Sequence, residues 1–324
     1  MPLNINAAHK AYSQAVMSAS AGAFARFRPF VSHNVIPAGT PGMKIGIPVK
    51  GVNPVMDFGE TPSDTAGNFA APRGTLATRR LEVQVDVSAK ILGDTCTFIE
   101  QQEYPANWLN AEGVAQGETL ANYLTALVGA RIMAAATPAI QSLTLPADSA
   151  TLAGAALAAR IRRVLVETAN APAPSECVLC CDPLTYERIL SGLFMLTNTT
   201  LAGTAQTADI GQLTGFRGVI EIPTLDAPYL FTPSGLTIAH RDPNISMLGE
   251  ANAASRREVA VEPITGIRVL NTVRANGDTG SVAYSTTIMV GAEKLTPAVN
   301  LDTNNAAGKG KGVYQAFKVT TAAS

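Results

Sequence analysis

Gly211, Gly215 and Gly218, three glycines within ADIGQLTGFRGVIEIPTLDAP (208 to 228), come closest in type and spacing to chemistry. Glycine lets backbone amides approach a phosphate, so the stretch could be a nucleotide loop. Such a loop needs a strand before it, a helix starting at once after it, and usually a Lys-Ser/Thr pair or a carboxylate about twenty residues on. Here Gly218 is succeeded by Val219-Ile220-Glu221-Ile222-Pro223, β-branched and closed by proline, which predicts a strand. With no helix amino terminus to hold an anion, the dinucleotide and Walker readings both fail. The glycines instead permit a turn and a close approach into an edge strand ending at Pro223.

ECVLCCDP gathers Cys177, Cys180 and Cys181, which superficially resembles half of a zinc site. Zinc needs four converging ligands, and no second Cys or His cluster completes the set. CVLCC before Asp182-Pro183 reads instead as a short buried strand with Cys177 and Cys180 facing opposite ways. These are expected as core cysteines, like Cys96 in TCTFIE. His9, His33 and His240 are scattered, and no Ser, Cys or carboxylate stands in a motif that would make one a base. No catalytic, cofactor-binding or metal-ligating residue is expected.

Periodicity gives the elements that would position any site. After a short helix through AAHKAYSQAV, residues 1 to 40 read as an arm. MKIGIPVKG (43 to 51) and LEVQVDVSAKIL (81 to 92) read as strands, the second with Leu81, Val83, Val85 and Val87 alternating with polar residues. Residues 52 to 80, rich in Gly, Pro, Thr and Asp, are too poor in core residues to fold on themselves and read as a projecting loop ordered by a neighbour. Leu120, Leu124, Leu127, Val128 and Ile132 form one stripe of a long helix stopping near Thr137-Pro138. A second helix is expected from Asp148 or Ser149 to about Ala169, with Arg160, Arg162 and Arg163 on a solvated or subunit-facing edge. Asp182 and Pro183 should then cap a helix through TYERILSGLFML, with TNTTLAGTAQTAD a loop. YLFTPSGLTIAHR is expected as a hairpin, and TGIRVLNTVRANGDTGSVAYSTTIMVG as two strands about Asn276-Gly277-Asp278. VYQAFKVTT is expected as a last strand.

Composition limits the function classes. The 324 residues, 47% of them hydrophobic, suffice for one large or two ordinary domains. Only 15% are charged and the net charge is −1, which argues against a dedicated nucleic-acid binder. So few charges fit a surface covered by other copies of the chain; a low-charge monomer fits them too. Lys10, Arg26, Arg28, Lys44 and Lys50 precede the first acid, Asp57. That arm suits nucleic acid, an acidic neighbour, or simple solvation. No signal peptide is read in AYSQAVMSASAGAF, and Arg131 and Pro138 interrupt NYLTALVGARIMAAATPAI, so no membrane span is expected. The chain is read as soluble and made in the cytoplasm.

The succession of strand, Asp-Pro, helix, polar loop, and Ile-Gly-x-Leu-x-Gly-Phe-x-Gly-Val leading into a strand resembles the axial domain of tailed-phage major capsid proteins. Their fold was first seen in Hong Kong 97 phage and is shared by encapsulins and herpesvirus capsids. CVLCCDPLTYERIL and ADIGQLTGFRGVIEIPTL carry the resemblance, which gains its force from the order of the pieces along nearly the whole chain. It implies an α+β Hong Kong 97-type fold: an amino-terminal arm (1–40), an extended loop (41–92), a peripheral domain with a spine helix (93–144), an axial domain (145–240), and peripheral return strands with a carboxy-terminal tail (241–324).

The resemblance implies no chemistry on a substrate but repeated self-association into pentamers and hexamers of an icosahedral phage head shell. That shell would enclose double-stranded DNA contacted non-specifically, as a virion capsid assembled in the host cytoplasm. Separate scaffolding and portal proteins, with or without a decoration protein, are the implied partners. Arg73, Arg79 and Arg80 on the loop, and Arg26 and Arg28 on the arm, are candidates for acidic residues of a neighbour; exposed solubilising charge is the alternative. Lys44 and Lys50 lie near the loop, but no motif identifies a cross-linking pair. An encapsulin compartment, a tail-tube or decoration protein, and an enzyme using the glycine segment are the competing readings.

Overall fold

A computed structural model describes residues 5–36, 44–49, 81–97, 108–134, 140–168, 171–200, 213–232, 235–243, 255–263, 265–276, 280–294 and 316–322. Its helices are α1 (Ile5–Arg26), α2 (Trp108–Met133), α3 (Gly154–Glu167) and α4 (Pro183–Thr200). Its strands are β1 (Val31–Ile36), β2 (Lys44–Val49), β3 (Leu81–Asp86), β4 (Ser88–Thr97), β5 (Gln141–Leu145), β6 (Val178–Cys181), β7 (Gly218–Glu221), β8 (Tyr229–Phe231), β9 (Leu236–Arg241), β10 (Ser255–Val261), β11 (Arg268–Asn276), β12 (Ser281–Lys294) and β13 (Ala316–Thr321). The fold is α+β, as expected. The chain divides into two units: Met1–Ile45, Gln84–Arg131 and Thr237–Glu293 form the first; Gly46–Val83, Ile132–Leu236 and Lys294–Ser324 form the second.

The first unit is built on a sheet ordered β1-β9-β12-β11-β10, with β4 also paired to β12. β10, β11, β12 and β4 form an antiparallel ladder, and β1 runs parallel to β9. Val85 and Val87 are buried while Asp86 and Ser88 are exposed, as the alternation predicts. The stripe on α2 holds: Leu120, Leu124, Val128 and Ile132 are fully buried, with Leu127 at its edge. Asn276 ends β11 opposite Ser281, so the expected hairpin forms with Asn276 in the ladder.

The amino-terminal segment departs from expectation. It is a 22-residue helix docked on the sheet, not a short helix in an arm. The anchor is a buried polar chain: Tyr12 Oη meets Thr286 Oγ1 at 2.8 Å, Thr286 Oγ1 donates to Asn271 Oδ1 at 3.0 Å, and Asn271 Nδ2 donates to Ser13 Oγ at 2.9 Å. His9 Nε2 lies 3.2 Å from the Asn271 carbonyl, so His9 is satisfied in the core. α2 crosses α1 closely, because Gly113 and Gly117 present bare backbone to it; a Cβ on Gly117 would stand 2.6 Å from the Val16 carbonyl oxygen.

The second unit holds a sheet ordered β5-β13-β8-β6-β7. β13 is parallel to β5 and antiparallel to β8, and β6 is antiparallel to β8 and parallel to β7. α3 contributes Leu157, Ala158, Ile161 and Leu165 to the core beneath this sheet, beside Leu179, Leu230, Phe317 and Val319. β2 and β3 form a separate two-stranded sheet.

Four further expectations change. Ala147–Thr151 is a 3-10 turn, so α3 starts later, at Gly154, whose φ of 58° only glycine adopts readily. TNTT continues α4 through Thr200. β8 and β9 do not form a hairpin: β8 has both edges filled by β13 and β6, while β9 belongs to the first unit's sheet beside β1 and β12. The last strand forms, but in the second unit's sheet, not with the return strands. β1, β5 and β10 carry no clear signal in the sequence. The projecting loop, 52 to 80, lies outside the described residues.

Candidate functional site

The glycine segment and the strand-helix unit preceding it are one construction within the second unit. β6 is short, entirely buried and ends at Cys181, just before Asp182. Asp182 caps α4 as the sequence indicates: its Oδ2 accepts from the Thr185 amide at 3.1 Å and its carbonyl from the Tyr186 amide at 2.9 Å, with Pro183 at the first helical position. Farther along α4, Arg188 Nη2 donates to the carbonyls of Ser149, Ala150 and Leu152 at 3.1, 2.8 and 2.6 Å. It thereby ties the helix to the turn leading into α3. A lone Arg in an amphipathic helix gives no sign of this.

After α4 the chain returns through the glycines into β7, parallel to β6 at the sheet edge. The Arg217 amide donates to the Cys177 carbonyl at 2.8 Å, and the Ile222 amide to that of Cys181 at 2.9 Å, so the segment is laced to β6 at both ends. Gly215 has φ of 75°, and a Cβ there would lie 2.7 Å from Nη1 of Arg162. The backbone conformation selects glycine, while the guanidinium is the far end of an exposed, flexible side chain that could swing aside. Gly218 opens β7 with only an ordinary contact to Val178 at 3.9 Å. Gly211 lies outside the described residues. From Gly218 onward the chain is a strand, so the anion-holding helix start of a phosphate loop is replaced by an edge of sheet.

The cysteines are core residues. Cys177 and Cys181 share the cluster with Leu179, on one face of β6. Burial, aided by the nearby Glu176 charge, pushes the Cys177 thiol up to about 12, and burial raises Cys180 and Cys181 strongly as well. Thiols held protonated are poor nucleophiles and poor metal ligands. Among the described residues no group of His, Cys, Asp and Glu is arranged to hold a metal ion, and no helix is long and apolar enough to cross a membrane.

Of the basic candidates, only Arg26 and Arg28 lie among the described residues. Arg26 stands exposed in the last turn of α1 and Arg28 exposed just beyond it, while Arg73, Arg79 and Arg80 lie outside the described residues. On α3, Arg160 pairs with Asp148 at 2.9 Å and Arg163 with Glu167 at 2.8 Å, leaving Arg162 against the Gly215 turn. Sequence reasoning missed Gly113 and Gly117, although their four-residue spacing on one helix face marks a close crossing. It also missed Lys294, buried, whose Nζ donates to the carbonyls of Ile132 and Ala134 at the end of α2.

No family model matches this chain, and no curated protein does. Among solved structures it is similar to the capsid of cyanophage Pam1, at 14% identity over 90% of this chain and 92% of that one, with a TM-score of 0.49. It is similar to the capsid of cyanophage P-SCSP1u at 10% identity over 90% and 86%, TM-score 0.48, and to the mature capsid of bacteriophage PhiM1 at 15% identity over 91% and 86%, TM-score 0.45. At such identities and scores the functional reading rests on the chain's own residues.

Proposed function

We propose that this chain is the major capsid protein of a tailed phage, a subunit that self-associates into an icosahedral head shell around double-stranded DNA. The observation that carries this is the order of parts in the second unit. Buried β6, the Asp182 cap, α4, the Gly215 turn and the parallel edge strand β7 succeed one another as in the axial domain that the sequence resembles. The long buried-stripe helix α2 supports the spine helix that the resemblance implies. The low proportion of charge, 15%, suits a surface largely covered by sister subunits.

On this reading the chain is structural and does no chemistry on a substrate. Pentamers and hexamers arise from one heterologous contact closing at two rotations. Scaffolding, portal and any decoration proteins are separate chains, the shell assembles in the host cytoplasm, and its DNA contacts are non-specific. Arg26, Arg28, Arg73, Arg79 and Arg80 supply charge for a neighbour or for DNA. Negative-stain microscopy of the purified protein tests the reading, with closed shells the expected result. Tubes, trimers or a compact monomer at high concentration would overturn it, and shells loaded with protein cargo would move it to an encapsulin-type compartment.

A further inference from the structure

The two ends of the β6–β7 pair carry opposite charge. At the end where both strands begin, Arg217 precedes β7, and Arg162 lies against Gly215. Both are exposed. Val166, one turn beyond Arg162 on the same face of α3, is 69% exposed, and Leu213, two residues before Gly215, is 44% exposed. Arg163 and Glu167 cancel at this end, and exposed Glu176 still leaves it net positive. Where the strands finish stand Glu221, the last residue of β7, and Glu187, on α4 one turn from Leu184, which is 70% exposed. Asp226 pairs there with Lys318, and Arg188 is held on the carbonyls of Ser149, Ala150 and Leu152, so with Asp182, Glu187 and Glu221 this end is net negative. Arg162, Arg217, Glu187 and Glu221 form no ion pair among the described residues.

A monomer gains nothing from opposite charge, each sign beside exposed aliphatic side chains, at the two ends of one small sheet. Two copies set head to tail would match positive with negative and cover Val166 and Leu213 with the end bearing Leu184. We propose that the second unit's subunit contact is this one: the Arg162, Arg217, Val166 and Leu213 end of one copy meets the Leu184, Glu187 and Glu221 end of the next. The inference rests on the shell reading and names the faces that close its rings. The contact is heterologous, so every subunit uses both ends.

Charge reversal tests it on the full chain, with shell yield read by size exclusion and microscopy and the fold checked by circular dichroism. R162E/R217E and E187R/E221R should each lower the yield about tenfold or more, because like charges then face each other. The four-residue reversal restores complementarity and should return the yield to within about threefold of the unmodified chain. The neutral pair R162Q/R217Q guards against misfolding and should lower the yield while flattening its dependence on salt. Normal yields from either reversal, or no recovery in the combined variant, would overturn the contact while leaving the shell reading intact. No shells from the unmodified chain would overturn the shell reading, and this contact with it.

Discussion

Replacing Gly117 with Ala sets two effects of known sign against each other. An Ala inside a helix is favoured over Gly by about 1 kcal/mol. Against this, the new Cβ of Gly117→Ala would stand 2.6 Å from the Val16 carbonyl oxygen and 2.7 Å from Ala19 Cβ. Carbon and oxygen ordinarily approach no closer than about 3.3 Å, so α1 and α2 must part by roughly 0.7 Å along a contact where Gly113 is as crowded. Overpacking costs about 1–3 kcal/mol, and because the crowded atom is a backbone carbonyl oxygen that cannot swing aside, the cost here is about 2–3 kcal/mol. Sterics therefore win, and the net loss should be about 1–2 kcal/mol. Gly22→Ala in α1 is the internal control: nothing lies within 4 Å of its added Cβ, so only the propensity gain, up to about 1 kcal/mol, remains. Urea unfolding of unassembled protein, monitored by circular dichroism at one fixed concentration, reads both. If G117A proves as stable as the unmodified chain, or moves in the same direction as G22A, the close crossing of α1 and α2 is wrong.

Three other perturbations have clear signs. Lys294→Met keeps the length of the side chain but strips the donors from the Ile132 and Ala134 carbonyls, and should cost about 2 kcal/mol or more in the same urea assay. At alkaline pH, burial keeps Cys177 and Tyr12 protonated in the folded protein up to about 12, while the unfolded chain releases those protons at the ordinary values of 9.0 and 10.0. The unfolded state then binds fewer protons, so stability should hold below pH 9 and fall as pH rises toward 12, more steeply than in C177A/Y12F. Deleting residues 316 to 324 removes β13 from between β5 and β8, together with buried Phe317 and Val319, each worth about 1.5–3 kcal/mol. Limited proteolysis should then cut the second unit's segments rapidly; unchanged resistance would refute the sheet order.

The legible parts of the fold are those whose core contacts are local and apolar. LEVQVDVS announces its pleat because Val85 and Val87 face a core while Asp86 and Ser88 face water. The stripe on α2 announces itself for the same reason, and Asp182-Pro183 caps a helix whatever the surroundings. The sequence shows little more than a fragment of α1 because the buried side of that helix is half polar. Tyr12 and Ser13 lie inside, but Thr286 and Asn271, which satisfy them, stand 274 and 258 residues away. A hydrophobic pattern cannot register a side chain whose partner is a buried hydroxyl or amide on a distant strand. In the candidate site, Gly215 is legible as a turn, whereas the guanidinium of Arg162 lying on it is not, since helix and turn are brought together by strands far apart in the chain.

The failed hairpin at 229 to 241 marks a different boundary. Pro233-Ser234-Gly235 carries turn chemistry, and two β-rich runs flank it, so every local rule agrees. Competition for edges decides the matter instead. Phe231 is already matched by Val178 on one side and Ala316 on the other, leaving β8 no edge for its neighbour in sequence, and Ile238 pairs with Val31, far away in the chain. The chain therefore passes from one unit to the other between Leu236 and Thr237, and back between Glu293 and Lys294. Each sheet is thus closed by strands from widely separated segments, and loop-closure entropy must be met before those pairs form. That is why the order of elements along the chain carries more information about this protein than any single turn or strand within it.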